Sequence, residues 1–155
     1  GENTMTGYYK NSKATKESFT KDGWLRTGDL GLIDEDGFLY IKGRSKTMLL
    51  GPSGQNIYPE EIEAKLNNMP YVLESLVLQH KDNRLVALVC PDYNEVDASG
   101  MTAEQLVEQM EEARKQVNSE LAAYEQIAIV KLYPNEFEKT PKKSIKRFLY
   151  TNMVD

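Results

Sequence analysis

Two short apolar runs in mid-chain, LESLVLQH at 73–80 and RLVALVCP at 84–91, are separated only by Lys81-Asp82-Asn83. Runs of this length, rich in Leu and Val, read as strands, and three polar residues between them leave room only for a tight turn. Helical patterns flank the pair. Upstream, Pro59 opens a helix whose Glu60 and Glu61 suit the positive end of its dipole, with Ile62, Leu66 and Met69 as its buried stripe. Downstream, from near Thr102, Leu106, Met110, Ala113, Val117 and Leu121 share one face of a longer helix, and IAIVKLY at 127–133 reads as a further strand. The fold class expected is α+β: a small three-stranded sheet with flanking helices.

The region ahead of this domain is patterned differently. WLRTGDLGLI and FLYIKGR, joined by Asp34-Glu35-Asp36-Gly37, read as a β-hairpin over residues 24–44. A short strand over residues 47–50 and a loop over 51–56 with two glycines follow. The chain thus reads as two unequal parts, residues 1–45 and 46–155, with a hinge around Ser45-Lys46-Thr47. The opening, GENTMTGYYKNSKATKESFT, has no initiator Met and no helix or strand signal before Tyr8. It reads as the continuation of an upstream segment.

Composition narrows the classes of function. At 155 residues the chain can bury a core without disulfides or metals. Its single cysteine, Cys90, lies in an apolar run, so no intramolecular disulfide forms, and a reducing, cytoplasmic setting is expected. A net charge of −5 argues against general nucleic-acid binding. The basic cluster Lys139, Lys142, Lys143, Lys146 and Arg147 has no interleaved aromatic platform and fits a solvated tail as well as a binding surface. No apolar run is long enough to span a bilayer, and membrane association is not indicated. His80 ends an apolar strand, with no second His or acid at ligand spacing, and reads as structural.

Four segments, taken in order, resemble the adenylate-forming superfamily of acyl-CoA synthetases, luciferases and peptide-synthetase adenylation domains. They are GWLRTGDLG at 23–31, GFLYIKGRSK at 37–46, GQNIYPEEIE at 54–63 and EKTPKKSIKRFL at 138–149. The run SELAAYEQI and the following NEFEKTP look most like the long-chain fatty-acid–CoA ligase branch. The resemblance implies that residues 1–45 end a large N-terminal adenylation domain and that 46–155 form its mobile C-terminal lid. The implied substrates are a fatty acid, ATP (leaving as AMP) and CoA, with Mg2+ held by the large domain. No phosphate loop rich in Gly, Ser and Thr occurs in the 155 residues, so the chain alone is expected to be inert. A non-enzymatic module of the same fold, or an adenylation domain loading a carrier protein, are the alternatives.

The resemblance also implies residue roles. Asp29, after Thr27-Gly28, takes a ribose-binding role; without the flanking motifs it reads rather as a solvated hairpin aspartate or a turn cap. Arg44 offers a fork of donors to hydroxyls or phosphate, or a surface salt bridge. Lys46 matches the hinge position, and Gly54 lies in the segment that lines the CoA channel in relatives. Relatives also carry a catalytic lysine at the end of a T-P-x-G-K-I-x-R pattern. Ungapped, this sequence places Lys143 at the glycine and Ser144 at that lysine. A serine has no charge with which to offset negative charge on a reacting phosphate.

Overall fold

The computed structural model describes residues 1–154. It divides after Lys46 into two compact units. In the first, helix α1 (Ser12–Ser18) starts at Asn11, whose side chain accepts from Ala14 N at 3.0 Å. Strands β1 (Asp29–Ile33) and β2 (Leu39–Arg44) pair antiparallel, with a register shift between Leu30 and Gly31. The Asp34 carboxylate closes their turn, accepting from Asp36 N at 3.0 Å and Phe38 N at 2.8 Å. No residue of 1–46 is buried. Trp24, Ile33, Phe38, Leu39 and Ile41 are all exposed, so this hairpin has no core of its own.

The second unit does have one. A two-residue pair, β3 (Leu49–Leu50) with β4 (Asn56–Ile57), leads into α2 (Pro59–Leu66). The main sheet holds β5 (Val72–Gln79), β6 (Leu85–Pro91) and β7 (Ile127–Leu132), with β6 in the centre. β6 runs antiparallel to β5 and parallel to β7. The parallel connection is made through α3 (Tyr93–Ser99) and α4 (Ala103–Ser119). Thr102 opens α4 with a reciprocal capping box to Gln105.

Side chains alternate across the sheet. Leu85, Ala87 and Val89 of β6 pack with Ile62 and Leu66 of α2 and with Leu106, Met110 and Val117 of α4. Val86, Leu88 and Cys90 point to the other side, where Phe137, Tyr150 and Val154 cover them. Phe137 stacks on Tyr133 at 5.0 Å, and the Tyr150 ring stands edge-on to both. Burial on both faces explains why β6 reads as a continuous apolar run rather than an alternating one.

The α+β class and the three-stranded sheet with flanking helices match the sequence reading; several details depart from it. Residues 24–28 lie outside the hairpin strands, with Leu25 bridging only Phe19. α2 stops at Leu66, so Met69 packs on the core from beyond the helix, as Leu121 does beyond α4. Two short helices were not read from the sequence. One is α1; the other is α3, which Asp92 caps and Gly100 ends at φ +68°. Asp82 stands 2.7 Å from His80 Nδ1, a contact within the β5–β6 turn, so His80 does have an acid beside it. The tail is not merely solvated, because its aromatic residues close the second face of the sheet.

Leu76, fully buried on that second face, should cost about 2–5 kcal/mol when cut to alanine. Leu32→Ala, in the exposed hairpin, should cost no more than about 0.5 kcal/mol. Urea unfolding of the two variants gives the comparison.

Candidate functional site

Asp29 and Arg44 face each other as register partners across β1 and β2. Arg44 Nη1 lies 2.9 Å from Asp29 Oδ1 and donates to Thr27 O at 3.2 Å. Gly28, at φ +79°, makes the bend that brings the Asp29 carboxylate beside the guanidinium. The two nucleotide-binding candidates are therefore brought together as one exposed charge pair. Lys46 is exposed and is the last residue of the first unit. Gly54, in the second unit, stands at φ +82° in the β3–β4 turn and donates its N–H to Gly51 O at 2.9 Å. A Cβ there would meet nothing within 4 Å, so backbone conformation rather than space favours glycine.

The basic segment forms a small hairpin. Lys139 and Ile145 bridge antiparallel, Thr140 N donates to Ser144 O at 2.8 Å, and Lys143 N donates to Thr140 O at 2.8 Å. Lys142, Lys143 and Ser144 are exposed at its tip. Lys143 adopts φ +61°, a left-handed conformation that glycine takes without strain. Lys143, which the ungapped reading sets at the glycine of the pattern, thus has the backbone that a glycine suits, and Ser144 follows it.

Sequence reasoning missed what holds this tip. Arg147 donates from Nη2 to Glu63 Oε2 at 2.5 Å and from Nη1 to Val77 O at 3.1 Å. Val77 N in turn donates to Glu63 Oε1 at 2.7 Å. Burial pushes the Glu63 carboxyl up, while the Arg147 charge and these hydrogen bonds pull it back. Glu60 Oε1 lies 3.7 Å from Arg147 and accepts from the Thr47 hydroxyl at 2.5 Å. On the other leg, Lys139 Nζ lies 2.7 Å from Glu74 Oε2, and Phe137 N donates to Glu74 Oε1 at 2.7 Å. The Glu74 hydrogen bond holds the Lys139 ammonium above its usual range. A signal for Glu63 was present, because it sits between Ile62 and Leu66 on the buried side of its helix. A glutamate there needs a cation.

Among the described residues no group of three His, Cys, Asp or Glu could hold a metal ion. Nor is any helix among them long and apolar enough to cross a membrane.

Residues 47–153 match the family described as AMP-binding enzyme C-terminal domain, and the chain belongs to that family. Long-chain-fatty-acid–CoA ligase FadD15 of Mycobacterium tuberculosis is 32% identical over 92% of this chain, which spans 27% of that relative. Sulfoacetate–CoA ligase of Cupriavidus necator is 53% identical over 48% of the chain, covering 14% of its own length. Among solved structures, O-succinylbenzoate coenzyme A synthetase of Bacillus subtilis, in complex with AMP, is 29% identical with a TM-score of 0.70. That match covers 96% of this chain and 28% of the synthetase. The chain is therefore similar to the C-terminal part of adenylate-forming ligases whose named substrates differ.

Lys143→Gly should relieve the left-handed strain and stabilise the chain by about 1 kcal/mol, whereas Lys143→Val should destabilise it by a similar amount. Urea midpoints of the two variants should move in opposite directions; a shift in the same direction would remove the strain argument.

Proposed function

We propose that the chain is the C-terminal portion of an ATP-dependent carboxylate–CoA ligase, with the second unit as its mobile lid and the first as the end of its large N-terminal domain. In this reading a carboxylate oxygen attacks the α-phosphorus of ATP and pyrophosphate leaves. The CoA thiolate then attacks the acyl carbon and AMP leaves. The observation that carries the proposal is the exposed Lys142–Ser144 tip, whose left-handed Lys143 supports the ungapped register with the relatives' catalytic pattern.

The donor set suits a nucleotide. Asp29 supplies acceptors for ribose hydroxyls, and Arg44 supplies a fork of donors beside it. Lys143 brings a positive charge toward phosphate, and Ser144, at the usual lysine position, offers only a hydroxyl. Lys46 is the hinge, supported by its exposure and its place at the end of the first unit. Gly54 belongs to the loop along which the CoA arm passes. Mg2+ would be held by the large domain. A long-chain fatty acid is the proposed acyl substrate, because similarity to FadD15 runs through both units. CoA rather than a carrier protein is the proposed thiol.

The test is ATP–pyrophosphate exchange by the full-length protein with a panel of fatty acids. Exchange with long-chain acids is expected, and Asp29→Ala should weaken ATP use. Ser144→Lys should raise the adenylation rate by about tenfold or more, since a fixed charge at a developing phosphate charge contributes several kcal/mol. No exchange with any acid would point instead to a non-enzymatic module of the same fold.

A further inference from the structure

The hairpin that carries the basic tip is held at both of its legs by carboxylates of the main fold. Lys139, on the way in, meets Glu74 of β5; Arg147, on the way out, meets Glu63 of α2. The Glu74 and Glu63 side chains are only 12% and 10% exposed, so neither pair is an ordinary surface bridge. Both are referenced to β5, because Glu63 is itself bonded to Val77 N and Arg147 to Val77 O. Glu74 also takes Phe137 N at 2.7 Å, at the base of the incoming leg.

Between these two anchors, residues 140–144 bury no apolar side chain. Ile145, on the outgoing leg, packs on the second-face core, but the tip itself has no apolar hold. Nearly buried ion pairs are a poor device for stability, since apolar side chains of similar size would do as well or better. Their advantage is direction: a guanidinium bonded at once to a carboxylate and a carbonyl has one orientation.

We infer that Lys139 and Arg147 are positioning residues, which with Glu74 and Glu63 hold the Lys142–Ser144 tip in the orientation needed for adenylate formation. The inference rests on the proposed ligase function, and its test separates the two.

Lys139→Met and Arg147→Met keep apolar stems and remove the charges. In the 155-residue chain, hydrogen exchange at Thr140 N and Lys143 N should quicken about tenfold or more beyond any change at the β6 amides, which report the global loss of stability. In the full-length protein, Arg147→Met should lower the adenylation kcat by about 100-fold with little change in the KM for ATP. Thioester formation from supplied acyl-AMP should persist. Lys139→Arg, unlike Lys139→Met, should leave tip exchange as in the parent, because Glu74 needs only a cation. Unchanged exchange at the tip would overturn the clamp, and a loosened tip with full adenylation kcat would overturn its positioning role. Equal loss of both half-reactions, with tip exchange quickened no more than β6 exchange, would reduce it to a structural contact. If the unaltered full-length protein forms no adenylate, the ligase proposal fails, and tip exchange still decides whether the clamp exists.

Discussion

Glu63 is a carboxylate on the apolar side of a helix, and it can remain there only because Arg147 reaches it from the far end of the chain. The contact joins residues 84 positions apart. It ties α2 to the segment that closes the second face of the sheet. Removing either partner would leave a charge in a nearly dry place, at a cost of about 3–5 kcal/mol. The same arginine also bonds Val77 O and lies near Glu60, which accepts from Thr47, the first residue of the second unit. One guanidinium thereby connects the start of this unit, its first long helix, its sheet edge and its basic tip.

Around that contact the fold follows from simple patterning. β6 is central and covered on both faces, so every one of its residues is buried. The helices supply one cover. The other is mostly irregular chain with two short 3-10 turns, from which Phe137, Tyr150 and Val154 pack on the sheet. The Lys142–Ser144 tip projects from this irregular cover, and charge pairs at its base do the orienting that a regular element would do elsewhere. By contrast, the Asp29–Arg44 pair sits on a hairpin with no buried residue, where both strands keep large apolar side chains in the open. Such a hairpin is marginal alone.

The parts of this arrangement that were legible in the sequence are those with a local physical signature. The β5–β6 hairpin shows in its apolar runs and three-residue turn, and α4 in its stripe and its Thr102 cap. The cover on the second face was not legible, because Phe137, Tyr150 and Val154 follow no period. The pairing of Glu63 with Arg147 and of Glu74 with Lys139 was equally hidden. Side chains 84 or 65 residues apart meet only through the tertiary fold, and no local propensity marks which glutamate takes which cation. α3 escaped notice because its apolar contribution is the single buried Val96, although its Asp92 cap and Gly100 stop are plain.

The most direct test of this account is the coupling between Arg147 and Glu63. Urea unfolding of Arg147→Met, Glu63→Gln and the double variant yields it as the departure from additivity. A coupling between about 1 and 3 kcal/mol is expected, with the double variant more stable than the worse single one. Additive losses, within about 0.3 kcal/mol, would contradict it and leave the basic tip without the anchor described for it.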